Sequence, residues 1–208
     1  MRPLFPLAAA LAAAVVVTPL AAQQADTTLA GRTKGVATAP VTVYEMSDLQ
    51  CPFCRRFAIE TFPTIEKEYI KTGKVRWVFI NFPLTSVHLN AVAAAEVALC
   101  ASRQGAFWPV HDLLYRHQET WAPLKEPGPF LATLADSARI SRKALLACVA
   151  SPATLQEIRA EAEGAERAGA SSTPSFYIEG GLMAGAHPTE VFRRVLDSVL
   201  ATKRRPGR

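Results

Sequence analysis

The sequence predicts an α/β fold: one mixed β-sheet with helices on both faces, interrupted by an inserted block of helices. Three observations carry this. An alternating apolar strand runs straight into a helix across Cys51-Pro52-Phe53-Cys54. A second run, Val75 to Phe82, is dominated by β-branched and aromatic residues, as strands are. Then residues 86–170 read as helices alone, before a late hairpin and a final helix complete the pattern. Because chain on both sides of the helical block is needed to finish the sheet, the block is an insertion and not a separate unit.

In the first strand Val41, Val43 and Glu45 alternate with Thr42, Tyr44 and Met46, so one face is buried and Glu45 shares it. Pro52 suits the first turn of the helix that follows, where a missing N–H costs nothing. That helix runs to about Thr72, with Phe57, Ile59, Phe62, Ile65 and Ile70 available for burial. Lys71-Thr72-Gly73-Lys74 ends it with basic residues and a glycine. Helices are expected at 88–103, 107–118, 127–137 and 141–150, and Ser151-Pro152 opens another that reaches about Arg167. Ser175 to Glu179 and Leu182 to Gly185 form the hairpin, with Gly180-Gly181 as its turn signal. The last helix carries Val191, Phe192, Val195, Leu196, Val199 and Leu200 on one stripe.

The amino terminus reads as an export leader. Arg2 precedes an apolar run from Leu7 to Val17, and Leu20-Ala21-Ala22 offers a small-residue cleavage site. Residues 1–22 are therefore expected to be a signal peptide cleaved after Ala22, the alternative being an uncleaved membrane anchor, with a single domain over 23–208 carrying its helical insertion at about 86–170. Residues 23–35 read as a loose lead-in. The formal net charge is +5, of which the leader supplies one. The basic tail Lys203 to Arg208 has no interleaved aromatic residue, which argues against a nucleic-acid partner.

Four cysteines in an exported chain favour oxidised pairs. Placing Cys51 at a helix N-cap exposes its sulfur to free N–H groups and to the positive end of the helix dipole, both of which favour thiolate. The expected arrangement has Cys51 at the exposed helix start and Cys54 one turn further in, more covered. A CxxC can instead be half of a zinc site, but no second CxxC and no closely spaced histidine pair accompanies it. His111 and His117 read as surface or core-edge histidines, and His88 and His187 as helix-start residues. No metal or other cofactor is expected. A copper carrier is the remote alternative, because soft thiolates suit Cu(I).

Beyond the CxxC, the chain carries Glu45-Met46-Ser47-Asp48-Leu49-Gln50 before it, Gln104-Gly105-Ala106-Phe107-Trp108 with His111-Asp112 in the insertion, and Thr173-Pro174-Ser175-Phe176 before the hairpin. Together these resemble the DsbA-like class of thioredoxin-fold, extracytoplasmic thiol–disulfide oxidoreductases over almost all of residues 23–208. The resemblance implies a cis peptide at Thr173–Pro174 against the cysteines. It makes Thr173, Pro174, Pro52 and Phe53 substrate contacts, with the backbone at Thr173 pairing briefly with a bound peptide. It also implies that Glu45 relays protons to the inner cysteine, the alternative being a salt-bridged or strand-end surface carboxylate. Cys51 would be the sulfur that exchanges with substrate and Cys54 the resolving one. With those two assigned to redox work, Cys100 and Cys148 remain as a structural disulfide, the alternative being two free buried thiols.

Implied partners are cysteine-containing exported polypeptides and a membrane redox protein that recycles the pair. The strong oxidants of the class carry His where Phe53 stands, and Phe supplies neither charge nor hydrogen bond to a thiolate. Dimeric isomerases of this fold have an N-terminal dimerisation domain, for which 23–39 is too short. The expected role is a monomeric dithiol oxidase, with reductase or isomerase as the second reading, to which Thr173 before the proline also belongs.

Overall fold

The computed structural model describes residues 29–203. The expected leader and the basic tail beyond Lys203 lie outside the described residues. Five strands form one sheet in the order β1-β3-β2-β4-β5: β1 Thr33–Lys34, β2 Val41–Ser47, β3 Val75–Asn81, β4 Ser175–Ile178 and β5 Gly181–Ala184. β2 and β3 are parallel; the other three pairs are antiparallel. The mixed sheet is the one expected, with one addition. Thr33 and Lys34, read from sequence as lead-in, pair with Val78 and Trp77 at the edge.

The helix after β2 is a single rod, α1, assembled from Pro52–Arg56, Phe57–Thr61, Phe62–Ile65 and Glu66–Ile70, of which the second and fourth segments are π-wound. The winding corrects one expectation. Ile59 is exposed while Tyr69 is buried, because residues five apart stack in a π turn. Phe57 and Phe62, and Ile65 and Ile70, therefore share the inner face. Phe57 packs at 5.9 Å on Trp77 and 4.7 Å from Phe176. Burying a side chain of that size contributes on the order of 3 kcal/mol.

The insertion comprises α2 Ala91–Ser102, α3 Phe107–Arg116, α4 Gln118–Trp121, α5 Gly128–Asp136, α6 Arg142–Val149 and α7 Pro152–Arg167. The final helix is α8, Thr189–Lys203. Two cores result. α1 and α8 cover one sheet face around Val43, Trp77, Phe176, Phe192 and Leu196. The insertion builds a second core around Phe107, Leu114, Trp121, Leu131 and Leu145, and both Cys51 and Cys54 belong to it. The cysteines thus sit at the joint between sheet and insertion. On the other sheet face Met46 and Phe82 meet Ala165 of α7. That side is fastened by Arg32, fully buried, which donates to Glu161 at 2.7 Å and to the Phe79 carbonyl at 3.4 Å.

The hairpin turn lies one residue earlier than its Gly-Gly signal. Ile178 pairs with Gly181, so Glu179 and Gly180 form the two-residue loop, with φ of 45° and 90°. Both central residues of a type I′ turn need positive φ, and here Glu179 adopts it although it is not glycine. Among the described residues no helix is long and apolar enough to cross a membrane.

Candidate active site

Cys51 is the N-cap of α1, with extended backbone (φ −68°, ψ 125°) and Pro52 after it. The loop in front is fixed by a buried carboxylate. Asp48 Oδ1 accepts from Gln50 N at 2.7 Å, and its Oδ2 accepts from Leu84 N and pairs with His88 Nδ1, both at 2.8 Å. Cys51 N donates to the Asp48 carbonyl at 3.1 Å. From the insertion, Gln118 donates to the Leu49 and Cys51 carbonyls at 2.7 and 3.1 Å. Sheet, loop and insertion therefore all hold the segment that presents the cysteines.

Thr173 and Pro174 come from the far end of the chain. Their peptide is cis, and the Cys51 sulfur lies 3.4 Å from the Thr173 carbonyl, to which it donates when protonated. One sequence expectation needs correcting here. Cys51 is only 4% exposed, scarcely more than Cys54 at 0%, because Thr173, Pro174 and the insertion close over the helix start. What the site presents outward is Pro52 and Phe53, the latter 54% exposed with the Arg56 guanidinium 5.2 Å from its ring centre. Val87 and Leu89, also exposed, flank His88 on the loop that Asp48 anchors.

The two sulfurs are driven apart in acidity. The hydrogen bond from Cys54 is the main influence that brings Cys51 from its ordinary value of 9.0 to about 6; burial opposes it, and the Thr173 side chain and the backbone N–H groups of Cys54 and Phe53 assist. Cys54 moves the other way: burial, then its bond to Cys51 and that sulfur's charge, push it well above 9.0. At neutral pH one sulfur is a thiolate and the other a thiol, the asymmetry that directional exchange requires.

Behind Cys54 lies a polar cluster inside the apolar core. Glu45 is 1% exposed; its Oε2 accepts from Trp77 Nε1 at 2.8 Å and its Oε1 has no hydrogen-bond partner. Burial raises its pKa above 4.5, opposed by His111 and by hydrogen bonds from Trp77 and Ser47. Ser47 is one strand pleat further along β2, its hydroxyl 3.0 Å from that of Tyr115, and it also influences Cys54. Cys100 and Cys148 lie elsewhere, joining α2 to α6 with a Cα–Cα distance of 5.7 Å. Among the described residues no group of three or more His, Cys, Asp or Glu is placed to hold a metal ion.

With the geometry in view, relatives identify the family. A family profile described as thioredoxin matches residues 27–198. A probable disulfide bond formation protein D of Bacillus anthracis is 30% identical over 155 residues, covering 69% of this chain and 67% of that protein. The chain belongs to the DsbA-like thiol–disulfide oxidoreductases of the thioredoxin family. A Na(+)/H(+) antiporter NhaA 3 of Salinispora tropica is 31% identical over 82% of this chain but only 25% of its own length. The chain thus spans about a quarter of the antiporter relatives it matches. Among solved structures, alpha-DsbA1 of Wolbachia pipientis superposes with a TM-score of 0.74 at 22% identity, over 83% of this chain and 92% of that one. Oxidised BdbD of Bacillus subtilis gives the same TM-score and identity over 83% and 95%. Both share the fold of this chain.

Several residues of this DsbA-like site escaped the sequence reading. Tyr115 and Gln118 were not singled out, and Ser47 and Asp48 entered only as part of the motif before the cysteines, with no role; all four act through hydrogen bonds within the site. His111, expected at a surface or core edge, is 1% exposed and stands among Phe79, Phe107, Trp108 and Tyr115. The available signal was spacing: Phe107, His111, Leu114 and Tyr115 recur at helical intervals on one buried face.

Proposed function

We propose that this protein introduces disulfides into cysteine-containing exported polypeptides, using Cys51–Cys54 as a dithiol oxidase. The observation that supports this most is the acidity of Cys51, brought to about 6. A stable thiolate favours the reduced form of the pair and makes Cys51 a good leaving group, so the disulfide form is a ready oxidant. A substrate thiolate attacks Cys51 Sγ, the 51–54 bond breaks, and Cys54 departs as a thiolate that must be protonated. A second substrate thiolate then attacks the substrate sulfur of the mixed disulfide. The substrate leaves oxidised, and Cys51 and Cys54 are left reduced.

Each remaining residue has a role in this reading. The backbone at Thr173 pairs with the substrate as a transient strand, and Pro174, Pro52 and Phe53 form the apolar contact around it. Glu45, its pKa raised by burial, gives Cys54 a proton when the disulfide opens and takes one back on reoxidation. Cys100–Cys148 ties the insertion together. Export with removal of residues 1–22, a single unit over 23–208, a monomeric state and reoxidation by a membrane redox protein complete the proposal.

The deciding experiment is the reduction potential of Cys51–Cys54, by equilibration against glutathione with Cys100–Cys148 intact. A value near about −120 mV supports the oxidase, while one near about −270 mV turns the assignment to a reductase. Full turnover in Cys51→Ser would remove the role of Cys51 altogether.

A further inference from the structure

Glu45 presents a difficulty that the fold answers. An acid buried to 1% exposure cannot exchange protons with solvent directly, yet to serve Cys54 in successive cycles it must be reloaded and discharged. The free lone pairs around it mark the way out. Glu45 Oε1 and His111 Nε2 are both buried and both lack a hydrogen-bond partner. A buried polar atom left unpaired costs about 1–3 kcal/mol, so two in one pocket call for a reason.

The two residues occupy the same pocket. Glu45 pairs with Phe79 across β2 and β3, and the Phe79 ring lies 5.5 Å from the His111 ring. Tyr115, whose hydroxyl meets Ser47 at 3.0 Å, places its ring 4.8 Å from His111. On its other side His111 Nδ1 lies 2.8 Å from Asp112 Oδ1. Asp112 is over half exposed and lines a cleft of about 300 Å³ shared with Lys34, Glu66 and Arg116.

We propose that His111 connects Glu45 to solvent: Nε2 exchanges a proton with the Glu45 carboxyl while Nδ1 exchanges one with solvent beside Asp112. The inference rests on the oxidoreductase reading above. His111 never touches sulfur and is a positioning residue that acts through Glu45.

The tautomer follows from the partners. Burial alone would raise Asp112, but its hydrogen bond from His111 and the nearby charges of Lys34 and Arg116 help bring it below 3.8. An ionised carboxylate only accepts, so in neutral His111 the hydrogen is on Nδ1 and the bare lone pair on Nε2 faces inward. The titratable and charged groups that bear on this path are Glu45 from β2, Asp112 and Tyr115 from the helix that carries His111, Lys34 and Arg116 through Asp112, and Cys54 through Tyr115.

Closure of the 51–54 disulfide from a mixed disulfide shows the balance. Cys54 S–H gives its proton to the Glu45 carboxylate, with Ser47 between them, and the resulting thiolate attacks Cys51 Sγ. The bond from Cys51 to the substrate sulfur breaks, and that sulfur leaves with the electron pair as a thiolate that solvent protonates. Cys54 is oxidised and the substrate sulfur reduced. Glu45 passes its proton to Nε2, and the Nδ1 proton departs past Asp112. The reverse sequence protonates Cys54 when the disulfide opens.

The test is the rate of this closure against pH, by stopped-flow mixing of the reduced protein with glutathione disulfide, in wild type, Asp112→Asn and His111→Gln. His111→Gln is expected to slow closure about a hundred-fold, the lower end of general acid–base contributions, and to lose the wild-type pH inflection. Asp112→Asn, on the surface, is expected to fold and to slow closure less while shifting the inflection. The Cys51 titration should stay near 6 in both. If both variants keep the wild-type rate and pH profile, the relay is wrong. A change in melting temperature alone, with that profile intact, makes His111 a packing residue and equally overturns it. If wild type itself fails to exchange with glutathione disulfide, the oxidoreductase reading fails instead.

Discussion

Trp77 donates its indole N–H to Glu45 Oε2 across 2.8 Å, from the neighbouring strand, where it faces Val43 two residues before Glu45. That bond holds one carboxyl oxygen, while the other, Oε1, is buried without a hydrogen-bond partner. It also stabilises the ionised form against burial. Trp77→Phe keeps most of the ring packing on Phe57 and removes the donor. The Glu45 titration, followed by carboxyl carbon resonances, is expected to move further upward; a downward or absent shift would mean that the indole does not restrain this acid.

Cys51 owes its acidity first to Cys54 and only then to its other neighbours. Cys54→Ala should therefore raise the midpoint of Cys51 alkylation from about 6 toward the ordinary range. Thr173→Val, which deletes the hydroxyl and keeps the shape and the carbonyl, should raise it by less. Thiolate absorbance against pH measures both. A midpoint unmoved in Cys54→Ala would assign the effect to the helix N-terminus alone.

How much of this was legible in sequence depends on the range of the signal. The strand–CxxC–helix junction is local, and Val41, Val43 and Glu45 alternate as they do in the structure. The rod 52–70 misled at Ile59 because π winding leaves no mark in the apolar pattern that α periodicity would read. The turn at Glu179-Gly180 was displaced because Gly180-Gly181 is the stronger local signal, while register with β2 and β5 decides the pairing. The pocket behind Cys54 was legible only in part. Glu45 lay on a buried parity, but His111 and Tyr115 reach it from a helix more than sixty residues away, and no local pattern reports such a contact.

The Cys100–Cys148 bond joins residues 48 apart, packed by Thr154, whose hydroxyl donates to the Cys148 carbonyl at 2.7 Å. A loop of that length contributes about 4 kcal/mol in the chain-entropy account. The double variant Cys100→Ala/Cys148→Ala should melt roughly 10 °C lower while its Cys51–Cys54 potential stays at the wild-type value. A shifted potential would show that the bridge tunes the active pair as well as bracing α2 against α6.

Glu45 also makes stability depend on pH, and the sign follows from its environment. Burial raises its folded-state value above 4.5, so the fold prefers the protonated carboxyl. Below the unfolded value both states hold the proton and no penalty arises. Between the unfolded and folded values the unfolded chain releases its proton and the fold does not, so this group lowers stability by about 1.4 kcal/mol per pH unit. Above the folded value the loss is complete. Glu45→Gln keeps an acceptor for Trp77 and removes the ionisation. It should match wild type near pH 4, exceed it in urea midpoint at pH 8, and flatten the profile between. Equal urea midpoints at pH 8 would mean that the carboxylate is solvated or paired well enough to ionise freely, and Glu45 would then lack the poise that a proton donor to Cys54 needs.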